Sequence, residues 1–193
     1  MPVSGETLLK APKWLKVQRF SVFIYTAISI ALLVYALGFL TNSYIFYAFG
    51  DNRLREFYQA MQKINTGLLF KPILAIIFAL ALFIAQINKH AAGKYTLCIV
   101  LLVCAASLFI SADSIVKIAA VRNEYTLLDL SELDWYIERG TIAYNYSTAV
   151  YDFGLVIYAL FPAAALFMAA AVTRNSVTVQ DIPAQKLSTG EKS

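Results

Sequence analysis

Five side chains carry most of the chemistry this sequence offers: Lys71, Asp113, Lys117, Tyr151 and Asp152. Each stands at the edge of a long apolar stretch. Ionisable groups close to a membrane core are costly, which makes them the first candidates for function. Asp113 and Lys117 are four residues apart, the spacing at which one helix face brings a carboxylate and an ammonium together. Lys71 near the start of one apolar stretch, Asp113 near the end of the next and Asp152 near the start of the last are expected at a similar depth. With Ser111, Ser114, Tyr151 and Tyr158 adding hydrogen bonds, they would form an outer polar cluster around a pocket for an ion or small solute. The plainer alternative has Lys71 and Lys117 snorkelling to water while the two aspartates cap helix ends or pair with them.

Little else points to reactive chemistry. His90 is the single histidine and falls in a short polar turn. Ligation of haem by two histidines within one chain is thereby excluded, and a histidine-based zinc site has too few ligands. No nucleophile motif, P-loop or glycine-rich phosphate loop occurs. Cys98 and Cys104 are six apart on one apolar stretch, so on a helix they face different ways and read as small buried apolar residues. The expectation is no enzyme, no metal and no cofactor. The net charge of +4 is spread without a basic stripe, and nucleic acid is not an expected partner.

The elements that hold these residues are four apolar stretches of roughly 20 residues, at 20–40, 68–87, 95–115 and 149–172. That is about the length a helix needs to cross a bilayer. The chain of 193 residues is 60% hydrophobic and 15% charged, with a mean hydropathy of +0.64. Soluble domains are usually about 45–50% apolar and about 25% charged. One membrane domain over 20–173 is expected, flanked by a basic segment at 1–19 and a polar, disordered tail at 174–193. The first stretch is span-length and no small-residue cleavage pattern follows it, so it reads as an uncleaved signal anchor. The middle of each stretch is free of charge. A proton or ion path through one copy needs polar steps at mid-depth.

Charge placement suggests an orientation. Lys10, Lys13, Lys16 and Arg19 precede the first span, Lys89, His90 and Lys94 lie between the second and third, and Arg174 follows the fourth. The intervening connection at 116–148 carries Glu124, Asp129, Glu132, Asp134 and Glu138. The positive-inside rule then puts both termini in the cytoplasm, with the plasma membrane as the expected location. Leu8, Leu9, Trp14 and Leu15 interleave with the N-terminal lysines as a short interfacial flank would.

Both outer connections contain helical patterns. Leu54, Phe57, Tyr58, Met61 and Ile64 recur at helical spacing opposite Arg55, Gln59 and Lys63, after Asp51 or Asn52 as cap. Ser131 with Asp134 suggests a capping box for a second helix carrying Leu133, Trp135, Tyr136 and Ile137, ended by Gly140. Tyrosines at 44, 47, 144, 146 and 151 suggest boundary belts. The stretches 39–45 and 109–115 align, which suggests a span, outer helix, span unit repeated in parallel. Asn145-Tyr146-Ser147 fits the glycosylation pattern but lies too close to a span for access.

The fold class expected is all-α integral membrane, a four-transmembrane-helix bundle with two extracytoplasmic amphipathic, interfacial helices. Alanines four apart in the last span and Ser107 with Ser111 in the third allow close helix packing. Function is expected to be non-enzymatic: an accessory, assembly or interaction subunit of a membrane complex. Its partners would be the lipid bilayer and another integral membrane protein, or a second copy of the chain. The alternatives are a solute-binding or transport component using the outer pocket, or a membrane sensor.

Overall fold

A computed structural model describes the backbone of residues 13–87 and 94–189 and the side chains of residues 15–84 and 96–174. Every regular element among them is a helix: α1 (Lys13–Gly38), α2 (Tyr44–Phe49), α3 (Asn52–Ile87), α4 (Lys94–Tyr125), α5 (Ser131–Glu138) and α6 (Ala149–Thr189). Four helices contain stretches long and apolar enough to cross a membrane: Leu15–Gly38, Asn52–Ile84, Thr96–Tyr125 and Ala149–Arg174. Leu8, Leu9, Lys10, Lys89 and His90 lie outside the described residues, as do the side chains of Trp14 and Lys94. The long helices pack side by side, α6 against both α1 and α4, α1 against α3, and α3 more sparsely against α4.

The helices outrun the apolar stretches. The expected separate outer helix over 54–64 is instead the first part of α3, which runs without a turn to Ile87. At about 1.5 Å per residue α3 is about 54 Å long, against roughly 30 Å of hydrocarbon. Gly67 stands where a break was expected, but glycine costs a helix interior only about 1 kcal/mol. A turn there would leave the backbone groups of two helix ends without intrahelical partners. Helix α4 likewise passes position 115 and ends at Tyr125. Helix α6 continues to Thr189, so the tail expected to be disordered is helical up to there. Extending an existing helix avoids the cost of a new nucleus, which composition alone does not reveal.

The ends of the elements follow local chemistry. Asp51 caps α3, its Oδ1 accepting the Leu54 N–H at 2.8 Å. Helix α2 stops at Gly50, where an added Cβ would sit 2.6 Å from the Phe46 carbonyl oxygen and 2.5 Å from Leu54 Cβ. The capping box expected from Ser131 and Asp134 does not form. Asp129 Oδ1 accepts the Ser131 N–H instead, at 3.0 Å, and Asp134 accepts from the Tyr146 hydroxyl. Gly140 ends the α5 region at φ +69°, in the left-handed region that glycine favours. The Thr141 N–H returns to the Tyr136 carbonyl at 2.9 Å.

The proposed internal repeat lacks local equivalence. Residues 39–45 form the turn into α2, whereas 109–115 lie inside α4. The pair Phe57-Tyr58 is in a long helix, and Trp135-Tyr136 is in the short α5. Each half still runs long helix, short helix, long helix.

Small polar side chains tie the bundle together. Ser107 Oγ donates to the Val103 carbonyl at 2.7 Å, so it accepts from the Tyr25 hydroxyl at 3.1 Å and joins α4 to α1. Pro162 has no N–H to offer the Tyr158 carbonyl; Ser111 Oγ donates to that carbonyl from α4. The alanines of α6 divide between two faces: Ala164, Ala165 and Ala171 are buried, while Ala159, Ala163 and Ala170 face outward.

Candidate functional site

The five expected site residues fall into three separate places. The first is a strap between α3 and α4. Asp113 Oδ2 accepts from the Lys71 ammonium and from Lys117 Nζ at 2.9 Å. Lys71 Nζ also donates to Ser114 Oγ at 3.0 Å, and Ser114 Oγ donates to the Ile110 carbonyl at 2.7 Å. The Lys71 side chain is only 14% exposed, against 33% for Asp113 and 45% for Lys117. The ammonium most removed from solvent is thus the one with most partners.

The second place is farther along α4. Arg122 Nε donates to Asp152 Oδ1 at 2.6 Å, and Thr148 Oγ1 donates to Asp152 Oδ2 at 2.7 Å. Asp152 sits in the first turn of α6, where the helix dipole favours an anion. Nine residues of helix separate Asp113 from Arg122, about 13 Å along the axis. Asp113 and Asp152 therefore do not share a site or a depth. Arg122 had no expected role, because the sequence shows a charged connection where the structure has nearly three more turns of helix.

The third place is an aromatic cluster at the end of the bundle that holds α2 and α5, and it includes Tyr151. Its ring lies 5.3 Å from Tyr125 and 6.0 Å from Phe39, and its hydroxyl approaches Met61 Sδ at 3.6 Å. Phe46 extends the cluster, 5.8 Å from Phe57 and 5.4 Å from Tyr144. Tyr151 thus belongs to a packed core, not to the ionic cluster. Burial, together with the Tyr125 hydroxyl at 3.1 Å, holds the Tyr144 phenol well above its ordinary range. Tyr146 is pushed up to about 12, first by desolvation and then by the Asp134 carboxylate it donates to. Hydrogen bonds from Ser131 hold the Asp129 carboxyl below its usual range.

Two further hydroxyls lie deeper. Both are buried; that of Tyr35 has no partner among the described residues, and that of Tyr158 faces Ser114 without a well-formed hydrogen bond. Their rings meet edge to face at 6.2 Å. Tyr35 lies over Gly154 so closely that a Cβ there would collide with its hydroxyl. A side chain at 154 would have to push the Tyr35 ring aside, so glycine suits this approach of α1 to α6.

Three of the cavities among the described residues lie at the end of the bundle that holds α2 and α5. A groove of about 770 Å³ lies between α2, α3 and the end of α1. A pocket of about 250 Å³ lies between the turn after α1 and the start of α6. A shallow site of about 360 Å³ lies on the cap beside Phe49, Glu132, Trp135 and Tyr136. Of the five expected residues only Tyr151 lines one of them, the second. The groove of about 770 Å³ is lined by Gln59 and Lys63, which read in sequence as the polar side of an outer helix, and by Gln62, Asn65 and Thr66, which have no expected role. Among the described residues no group of three His, Cys, Asp or Glu is placed to hold a metal ion. No family model, curated protein or solved structure matches the chain.

Proposed function

We propose that the chain is a non-enzymatic, multi-pass membrane protein acting as an accessory or assembly subunit of a larger membrane complex. One observation carries this reading. Leu127 is 73% exposed and Trp135 is 52% exposed, and both lie beyond the outer end of α4. Ten residues of helix separate Ile115 from Tyr125, about 15 Å, so acyl chains are poorly placed to cover these side chains. Trp135 is already oriented, with the Arg139 guanidinium 3.9 Å from its ring centre. Exposed, pre-oriented aromatic residues are what protein interfaces use as anchors. The partner is another integral membrane protein or a second copy.

The cap formed by α2, the start of α3, the end of α4 and α5 is extracytoplasmic in this reading, and both termini are cytoplasmic. The basic residues crowded just before the first span (Lys10, Lys13, Lys16 and Arg19), with Lys89, Lys94 and Arg174, support that orientation against Arg53, Arg55, Lys63 and Arg139 at the cap. The ionic groups serve helix packing, because Asp113 and Asp152 are each engaged by a cation of a neighbouring helix. A shared solute pocket between them loses its support.

The test is a photo-crosslinking residue at position 135 in intact cells, followed by purification in mild detergent. A discrete crosslinked species, lost on Leu127→Asp, is expected. A chain that crosslinks to no protein and purifies alone would sink the proposal. A cysteine at Thr141, in a chain freed of Cys98 and Cys104, is expected to react with an impermeant maleimide from outside only.

A further inference from the structure

The groove on α3 changes character along its length. Gln59, Gln62, Lys63 and Thr66 line it. One turn on, the same face of α3 presents Phe70, Ile73, Ile77, Leu80 and Ile84, all exposed. At about 100° per residue the two sets lie within roughly 60° of one direction. A polar groove thus passes directly into an apolar stripe. The change falls where α3 enters its apolar stretch, the level of headgroups if α3 crosses a bilayer.

The groove's chemistry is specific. Tyr44, Tyr47 and Tyr58 form one wall, their ring centres 5.9 to 6.3 Å apart. Lys63 is exposed and lines the groove with no carboxylate beside it among the described residues. Gln62 Nε2 makes only a long bond to the Tyr58 hydroxyl, 3.4 Å, leaving its second N–H for a ligand. Asn65 Oδ1 is buried and accepts from no described donor. An unpaired buried acceptor costs free energy until a donor arrives.

We propose that this groove binds a glycerophospholipid whose headgroup can donate a hydrogen bond. The phosphodiester faces Lys63 and the amide N–H groups, a headgroup hydroxyl or ammonium donates to Asn65 Oδ1, and one acyl chain runs along Phe70 to Ile84. A choline headgroup has no such donor, so the site discriminates against it. The proposal rests on α3 crossing a bilayer and is independent of any protein partner.

The experiment uses the full chain, delipidated in detergent and titrated with phosphatidylglycerol, phosphatidylcholine or glycerol phosphate. Bound molecules are counted by native mass spectrometry. Phosphatidylglycerol is expected to bind, phosphatidylcholine more weakly, and glycerol phosphate not at all. Lys63→Met is expected to lower phosphatidylglycerol occupancy about fivefold, the worth of one basic residue near an anionic surface. Arg53→Gln, on another face of α3, is expected to leave it unchanged. Asn65→Ala is expected to shrink the preference over phosphatidylcholine to the part that Lys63 contributes through charge, and an unchanged preference would count against the assigned headgroup donor. Thr66→Trp, at the exposed rim, is expected to block binding without disturbing the core. Equal binding of the two lipids, unchanged occupancy in Lys63→Met, or glycerol phosphate binding as well as the lipid would each overturn the proposal.

Discussion

Replacing Asp113 by asparagine removes the charge that holds Lys71 between α3 and α4 while keeping the side chain's size. Removing one partner of a buried ion pair costs about 3–5 kcal/mol, because the other charge is stranded. An exposed pair is worth only about 0–1 kcal/mol. Lys71 is 14% exposed and Asp113 33%, so the pair lies between these limits and must be discounted for solvent. Lys71 also keeps Ser114 as an acceptor. The expected loss for Asp113→Asn is about 2 kcal/mol, roughly a thirtyfold change in the folding equilibrium. Lys117→Met removes only the more exposed i+4 partner and is expected to cost about 0.3–0.5 kcal/mol. Lys71→Met with Asp113→Leu strands no charge and is expected to fall within about 1 kcal/mol of the parent. The assay is reversible unfolding in mixed micelles with rising dodecyl sulfate, followed by helical circular dichroism. Equal losses for Asp113→Asn and Lys117→Met, or a double variant as unstable as Asp113→Asn, would refute the assignment of Lys71 as the buried member.

Three other outcomes follow from the same geometry. Gly154→Ala is expected to destabilise the α1–α6 seam by about 1–3 kcal/mol, the usual cost of overpacking. Tyr35→Phe removes the nearest colliding atom, an unpartnered hydroxyl, so the double variant should recover part of that loss in the same unfolding assay. Tyr146 has its folded pKa raised to about 12, above the ordinary tyrosine value near 10. Its contribution to stability is therefore present below about pH 10 and lost as pH rises through 12; Tyr146→Phe should flatten that alkaline slope in unfolding midpoints. Ser111→Ala strips the donor from the Tyr158 carbonyl that Pro162 cannot serve, and a loss of about 1–3 kcal/mol is expected. Adding Pro162→Ala should reduce the loss, because a backbone N–H returns.

The four long helices were legible because apolar length is a direct consequence of bilayer thickness. The cap was less so, for a physical reason. Charged residues such as Lys63, Arg122 and Glu124 look the same in a loop, on an interfacial helix or on a helix that rises into water. Only the backbone shows that 54–64 and 116–125 continue α3 and α4. The pairing of Asp113 with Lys71 and Lys117 is readable from spacing and depth. The placement of Asp152 was not, because its partner Arg122 lies on the extension. Tyr151 was grouped with the ions through its position beside Asp152, yet neighbouring residues on a helix point about 100° apart. The groove is not legible in the sequence, because its amides carry no motif and nothing in the chain shows α2 packing against α3.

The seams of the bundle differ in chemistry, and so in what would disturb them. Along α6 the contacts with α1 and α4 are made by Gly154, Ala164 and Ala165, by aromatic rings, and by hydroxyl or thiol bonds to the backbone such as Cys104 to the Ala165 carbonyl at 3.0 Å. Such a seam responds to volume and hardly to charge. The seam between α3 and α4 is the sparser one, and its defining contact is the Lys71–Asp113 pair. In its apolar stretch α3 is also the least covered helix, 28% buried against 44% for α6. A helix with few packing contacts gains little register from them, and a directional ion pair supplies what the apolar surface does not. Whatever binds the outward face of α3 therefore acts on the element whose attachment to α4 depends most on one charge pair. Anything that weakens that pair should loosen the α3–α4 seam first, leaving α6 packed on α1 and α4, and α3 held by its larger contact with α1.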